Sequence, residues 1–137
     1  MLEGKKIVLG VTGGIAAYKA VEVASRLRQA GAEVHVVMTR EATEFVTELT
    51  FREISGNPVT MDIWAPVTHW NVAHIALANL ADAVLIAPAT ANIIAKAAVG
   101  IADDMLSTTL LATSAPVFFA PAMNTRMYEN PVVQQNI

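Results

Sequence analysis

Ile7-Val8-Leu9-Gly10-Val11-Thr12-Gly13-Gly14 joins an apolar run to a glycine pair, and residues 15 to 30 continue it as a helical stripe. A run that is apolar throughout, rather than alternating, marks a strand covered on both faces. The stripe puts Ala17, Ala20, Val21, Ala24 and Leu27 on one side and Lys19, Glu22, Arg26 and Gln29 on the other. Gly31 stands where a helix C-terminal glycine belongs. Further strand candidates, Val34 to Met38, Ala83 to Ala87 and Val117 to Ala120, are separated by helical patterns. Strands that alternate with helices pair in parallel through right-handed crossovers. The sequence therefore predicts an α/β fold, a three-layer α/β/α sandwich around a parallel sheet. Thr50 to Trp70, with Gly56-Asn57-Pro58 and Ala65-Pro66, shows turn signals and weak periodicity and is read as an excursion with a functional or interfacial role.

The 137 residues suit one domain, with 54% hydrophobic residues and 15% charged ones. The absence of cysteine excludes a disulfide scaffold, a Cys-ligated metal centre and thiol chemistry from these residues. A net charge of −3 without blocks of one sign offers no stripe for a nucleic-acid backbone. No apolar run approaches the roughly 18–20 residues needed to span a bilayer. Lys5-Lys6 before Ile7 mimics a signal peptide, but Thr12-Gly13-Gly14 cuts the apolar run short, so a cytoplasmic chain is expected.

In an open parallel sheet, ligands bind beyond the carboxyl ends of the strands. The residues there are Thr12-Gly13-Gly14, Thr39-Arg40, Pro88-Ala89-Thr90-Ala91-Asn92 and Pro121-Ala122-Met123-Asn124, so small, hydroxylated and amide side chains share one rim. Two glycines let the backbone approach a ligand, and a helix starting near Ile15 would aim free N–H groups and a positive dipole end at it, which suits a phosphate. A tight turn without any ligand is the competing reading of the glycine pair. The spacing is neither the dinucleotide fingerprint nor a P-loop, since Lys19 is followed by Ala20. His35, His69 and His74 are each more simply structural or solvated than catalytic, although a histidine is the side chain best suited to proton exchange near neutral pH. Asn92 and Asn124 could cap helices, Asp103-Asp104 reads as a helix N-terminus, and Met123 and Met127 read as core or interface fillers.

Taken together and in order, five segments are more specific. They are Thr12 to Lys19, His74-Ile75 with Ala81-Asp82, Ala87 to Asn92, Gly100 to Asp104, and Pro121-Ala122-Met123-Asn124. With them the chain resembles the homo-oligomeric flavin-containing cysteine decarboxylases over essentially its whole length, and most closely those acting on 4′-phosphopantothenoylcysteine in coenzyme A synthesis. The resemblance implies a Rossmann-like flavoprotein fold with FMN on the rim. The FMN phosphate would lie near Gly13, Gly14, Ile15 and Thr39, and Thr90, Ala91, Asn92, Ile93 and Ala122 would line the rest of the cofactor site. It also implies His74 as catalytic acid/base and Asn124 and Met127 as substrate-binding residues. Such enzymes use the flavin to oxidise the substrate's cysteine thiol to a thioaldehyde, which delocalises the electrons left when carbon dioxide departs. Active sites between protomers of a homo-oligomer, a trimer or a dodecamer of trimers, are implied as well.

One departure stands out. Related pantothenate-pathway enzymes carry, beyond the stretch these residues match, a cysteine in a mobile flap that helps reduce the enethiol intermediate, and these residues hold neither flap nor cysteine. The family's final strands and a following ligase domain are likewise not represented, so residues 1–137 are expected to be a flavoprotein domain truncated at its C-terminus. Tyr128 stands where relatives often have tryptophan. Two alternatives stay open: a peptidyl-cysteine decarboxylase, which needs only the oxidative half of the reaction, and a non-catalytic flavin-binding subunit.

Overall fold

The sheet grows outward from β1 (Lys6–Val11), which pairs in parallel with β2 (Glu33–Met38) on one side and β3 (Ala83–Ala89) on the other. β4 (Val117–Pro121) pairs in parallel with β3, giving the order β2-β1-β3-β4. The computed structural model describes residues 1–61 and 73–137, with the side chains at 73 and 74 outside that description. Between the strands run α1 (Ala17–Gln29), a 3-10 turn at Glu41–Glu44, α2 (Glu48–Ser55), α3 (Ala73–Leu80), α4 (Ala91–Val99) and α5 (Met105–Ala112). Two short helices, α6 (Thr125–Glu129) and α7 (Pro131–Asn136), follow β4.

Successive side chains of a strand point to opposite faces, and here both faces are apolar. Ile7, Leu9, Val11, Val34, Val36 and Met38 pack with Ala17, Ala20 and Ala24 of α1 and Phe51 of α2. Val8, Val37, Val84 and Ile86 pack on the other face with Leu77 of α3, Ile93 and Ile94 of α4, and Met105 and Leu106 of α5. The expected three-layer α/β/α sandwich is thus the observed architecture. The buried alanines of α1 carry no bulk beyond Cβ, which lets that helix lie close to the sheet. Gly31, with φ +98°, adopts the left-handed conformation in which the chain leaves α1 for β2.

The strand boundaries differ from the expected ones at the β3 end. β3 continues two residues past Ala87 through Pro88 to Ala89. The Ala87–Pro88 bond is cis, and the β3–β4 register shifts between Ile86 and Ala89, where proline offers no N–H to the ladder. The helix expected from Ile15 begins at Ala17, after a turn closed by Ala17 N–H to Gly14 O at 2.9 Å. The expected excursion from Thr50 to Trp70 is corrected in its first part. Thr50 to Ser55 belong to α2, whose Phe51 is fully buried. Eight residues give too few turns for a legible stripe. Thr60 then adds a parallel bridge to Val37, with Met38 N–H to Thr60 O and Thr60 N–H to Val36 O both at 3.0 Å. Trp64, His69 and Trp70 lie outside the described residues.

Gly10 is required by a close approach. A β-carbon built there would stand 2.6 Å from Leu106 Cδ1 and 2.7 Å from Ile86 Cδ1, both in the packed core beneath α5. Replacing Gly10 with Val should therefore lower stability by about 1–3 kcal/mol through overpacking. Urea unfolding measures this; an unchanged midpoint would show that α5 can retreat freely.

Candidate functional site

Three strand ends meet around a cleft of about 290 Å3. Thr12 and Gly13 follow β1, Thr39 and Glu41 follow β2, and Thr90, Asn92 and Ile93 follow β3, with Asp104 arriving from the start of α5. Of the residues implicated in cofactor binding by the sequence, Gly13, Thr39, Thr90, Asn92 and Ile93 line this one cleft. Ala91 sits between two of them at the start of α4. Gly14 is adjacent, since a β-carbon on it would lie 3.9 Å from Thr90 Cγ2. Ile15 is 81% exposed beside the glycine turn. Ala122 is tied to the end of β3 by its N–H to Ala89 O at 3.0 Å.

Asn124 and Met127 are not among the residues lining the cleft. Asn124 is the N-cap of α6, its side chain accepting from Arg126 N–H at 2.9 Å, and Met127 is exposed on that helix. His74 falls in the first turn of α3, and its side chain is outside the described residues. Thr12 stood on the expected rim but was given no part in holding the cofactor, and Glu41 and Asp104 were not expected at the site. Thr12 adjoins the glycine pair, which is signal enough in retrospect. Asp104 was hidden by its other job, because it closes a capping box with Ser107 at the start of α5. Glu41 carried no local signal.

The two glycines do different things. A β-carbon on Gly13 would come within 2.9 Å of the Glu41 carbonyl carbon, and closer still to Glu41 Cβ, so the 3-10 turn sits directly on this position. Gly14 faces open space apart from Thr90. No acceptor among the described residues takes the N–H groups of Gly13, Gly14, Ile15 or Ala16. Four such donors, without an acceptor among the described residues and with the helix dipole behind them, favour an anion.

Hydroxyl groups fix the loops around these donors. Thr39 N–H donates to Val11 O at 3.0 Å, and Thr39 Oγ1 accepts from Ala42 N–H at 3.2 Å. Among the described residues the Thr39 hydroxyl hydrogen has no acceptor, so it can donate into the cleft region. Thr90 caps α4, its Oγ1 accepting from Ile93 N–H at 3.3 Å. Among the described residues no lysine or arginine lines the cleft, whereas the carboxylate-bearing Glu41 and Asp104 do. An anion here would be held by neutral donors. One nearby cation is already engaged: Lys96 Nζ, on a side chain only 16% exposed, lies 2.8 Å from Asp103 Oδ1 and 3.9 Å from Asp104 Oδ2. The hydrogen bond from Lys96 holds Asp103 below the usual carboxyl range, and Asp103 in return raises Lys96. Among the described residues there is no His/Asp/Glu cluster suited to a metal and no helix long and apolar enough to cross a membrane.

The chain matches the family described as Flavoprotein over residues 1–137. It is 54% identical over 136 residues to the "Coenzyme A biosynthesis bifunctional protein CoaBC" of Haemophilus influenzae, covering 99% of this chain and 34% of that protein. The chain thus spans about a third of the length of the curated relatives it matches. Among solved structures it is similar to the FMN-dependent cysteine decarboxylase SpaF, with a TM-score of 0.92, 37% identity, and coverage of 99% of this chain and 78% of that one. It is also similar to a PPC decarboxylase mutant complexed with pantothenoylaminoethenethiol, with a TM-score of 0.80, 30% identity, and coverage of 96% and 74%.

Two outcomes follow from the geometry of the cleft. Gly13→Ala should cost about 1–3 kcal/mol because the 3-10 turn must move. Gly14→Ala, which meets no wall, should stay within about 0.5 kcal/mol of the parent or rise slightly. Thermal unfolding of the pair settles the matter, and equal losses would contradict the assignment. Second, Asp103, with its lowered value, stabilises the fold above the ordinary carboxyl value of 3.8 and loses that contribution as pH falls through its own. The stability gap between wild type and Asp103→Asn, small because the pair is partly exposed, should be full near pH 6 and close below about pH 3.8. A gap unchanged across that range in urea titrations would refute the link.

Proposed function

The chain belongs to the flavoprotein family, and from that premise we propose that it binds FMN at the three strand ends and carries the decarboxylation of 4′-phosphopantothenoylcysteine to 4′-phosphopantetheine in coenzyme A synthesis. The observation that carries the reading is the row of N–H groups from Gly13 to Ala16, which has no acceptor among the described residues. It stands beside a cleft of hydroxyl and amide side chains, which suits a phosphate monoester attached to a hydroxylated chain. The 54% identity to a coenzyme A biosynthesis protein supports the choice of substrate.

In this reading Gly13, Gly14 and Ile15 donate backbone N–H groups to the phosphate and Thr39 adds its hydroxyl. Thr90, Ala91, Asn92, Ile93 and Ala122 lie along the remainder of the cofactor. Bound FMN supplies a two-electron acceptor for the substrate's thiol, which gives the electrons released with carbon dioxide a place to delocalise. His74 moves the proton at the reacting centre, and Asn124 and Met127 hold the substrate. Residues 1–137 form the flavoprotein domain, acting as a homo-oligomer, a trimer or an assembly of trimers, in the cytoplasm.

A second reading has a specific observation behind it. The TM-scores of 0.92 to SpaF, an FMN-dependent cysteine decarboxylase, and of 0.85 to the peptidyl-cysteine decarboxylase EpiD support an enzyme that acts on a peptidyl cysteine and stops after the oxidative half.

Purified protein given excess FMN should bind it and show a flavin absorption spectrum; failure to bind would remove the basis of both readings. With 4′-phosphopantothenoylcysteine it should release carbon dioxide, and His74→Asn should slow that release by about 10²- to 10⁴-fold while flavin stays bound. Undiminished turnover would withdraw the role given to His74, and release from a C-terminal peptidyl cysteine alone would favour the second reading.

A further inference from the structure

We propose that Thr12 is a positioning residue whose buried hydroxyl clips the β1 and β3 end loops together at the separation a single FMN must span. The proposal rests on the FMN reading above. Thr12 is 2% exposed. Its Oγ1 donates to Pro88 O at 2.5 Å and accepts from Thr90 N–H at 3.2 Å. One atom therefore holds two backbone groups from a segment more than seventy positions away in sequence.

The placement gives the clip its significance. Thr12 immediately precedes Gly13, so it anchors the loop that offers its N–H groups to the phosphate. Thr90 begins α4, and its own hydroxyl caps Ile93 N–H. The clip thus joins the phosphate-binding turn to the segment Thr90 to Ile93, which lies along the rest of the cofactor in the reading above. The hydroxyl is used in both senses, with its single hydrogen on Pro88 O and one lone pair on Thr90 N–H. Valine has nearly the same shape but would leave the Pro88 carbonyl and the Thr90 N–H without this partner in a buried site. Serine would keep both bonds.

A ligand that touches both loops gains when they are already held at the right distance, because its second contact then forms as an intramolecular event. A ligand that touches only one loop gains nothing. The ratio of riboflavin to FMN dissociation constants isolates this effect, because the two differ only in the phosphate. A general loss of stability would weaken both flavins together and leave the ratio unchanged.

The experiment measures flavin fluorescence quenching by wild type, Thr12→Ser and Thr12→Val, with riboflavin and FMN titrated separately. Thr12→Val should lower the riboflavin-to-FMN ratio by about tenfold or more, and Thr12→Ser should stay within about twofold of wild type. If Thr12→Val does not fold, Thr12→Ala removes the same hydroxyl without its branched bulk and should show the same fall. A wild-type ratio in the folded hydroxyl-free variant, or an equal fall in Thr12→Ser, would overturn the clip while leaving the FMN reading intact. Wild-type protein that binds neither flavin would overturn the FMN reading itself, and the clip with it.

Discussion

Ile7, Leu9 and Val11 face one apolar layer and Val8 faces the other, so β1 can give up neither side to water. Both of its edges are also occupied, by β2 and β3 in parallel register. A strand held in all four directions leaves its carboxyl end at a fixed point, and a parallel sheet repeats that end on each neighbour. The loops after β1, β2 and β3 are consequently brought to one place by core packing, without contributing apolar surface of their own. Their residues are released to be small and polar. That division of labour explains how glycines, threonines and an asparagine can surround a cleft in a domain whose interior is made largely of Val, Ile, Leu and Ala.

The electrostatics of the cleft are more unusual than its shape. Glycine, threonine and asparagine line it with the acidic Glu41 and Asp104, and no lysine or arginine is among its described lining residues. Lys96 is turned to Asp103 and Asp104 and closes the α4–α5 junction instead. Recognition of an anion by neutral donors depends on the direction of each donor more than on distance from a point charge. Such a site works only when its loops hold their geometry, and the hydrogen bonds from Thr39 to Val11 and from Ala42 to Thr39 supply some of that rigidity.

Much of this was legible in the sequence because the relevant signals are local. The four strands declared themselves through continuous apolar runs, α1 through its stripe, and Asp103-Asp104 through the charge that belongs at a helix start. The rim residues followed from the topology. What could not be read depended on contacts between distant segments. Phe51 belongs to the core, yet its helix is short and lies before a turn-rich stretch, so tertiary burial rather than periodicity determines its place. Glu41 lines the cleft because its turn rests against Gly13, a relation that leaves no trace in the spacing of either residue. Pro88 extends β3 where a proline would ordinarily argue for its end. His74 was implicated by family resemblance alone, and the side-chain geometry described for the chain does not include it.

The contact of Gly13 with the backbone at Glu41 bears on how such a sequence can change over generations. A side chain at position 13 and the present path of residues 41 to 44 exclude one another, so the effects of substitutions at the two places will not add. A lineage abandoning the glycine would first have to acquire a different turn after β2, and that intermediate would already have redrawn one wall of the cleft. The order in which mutations can be accepted is therefore constrained by a steric contact, and drift at either position is confined to variants that leave the other as it stands.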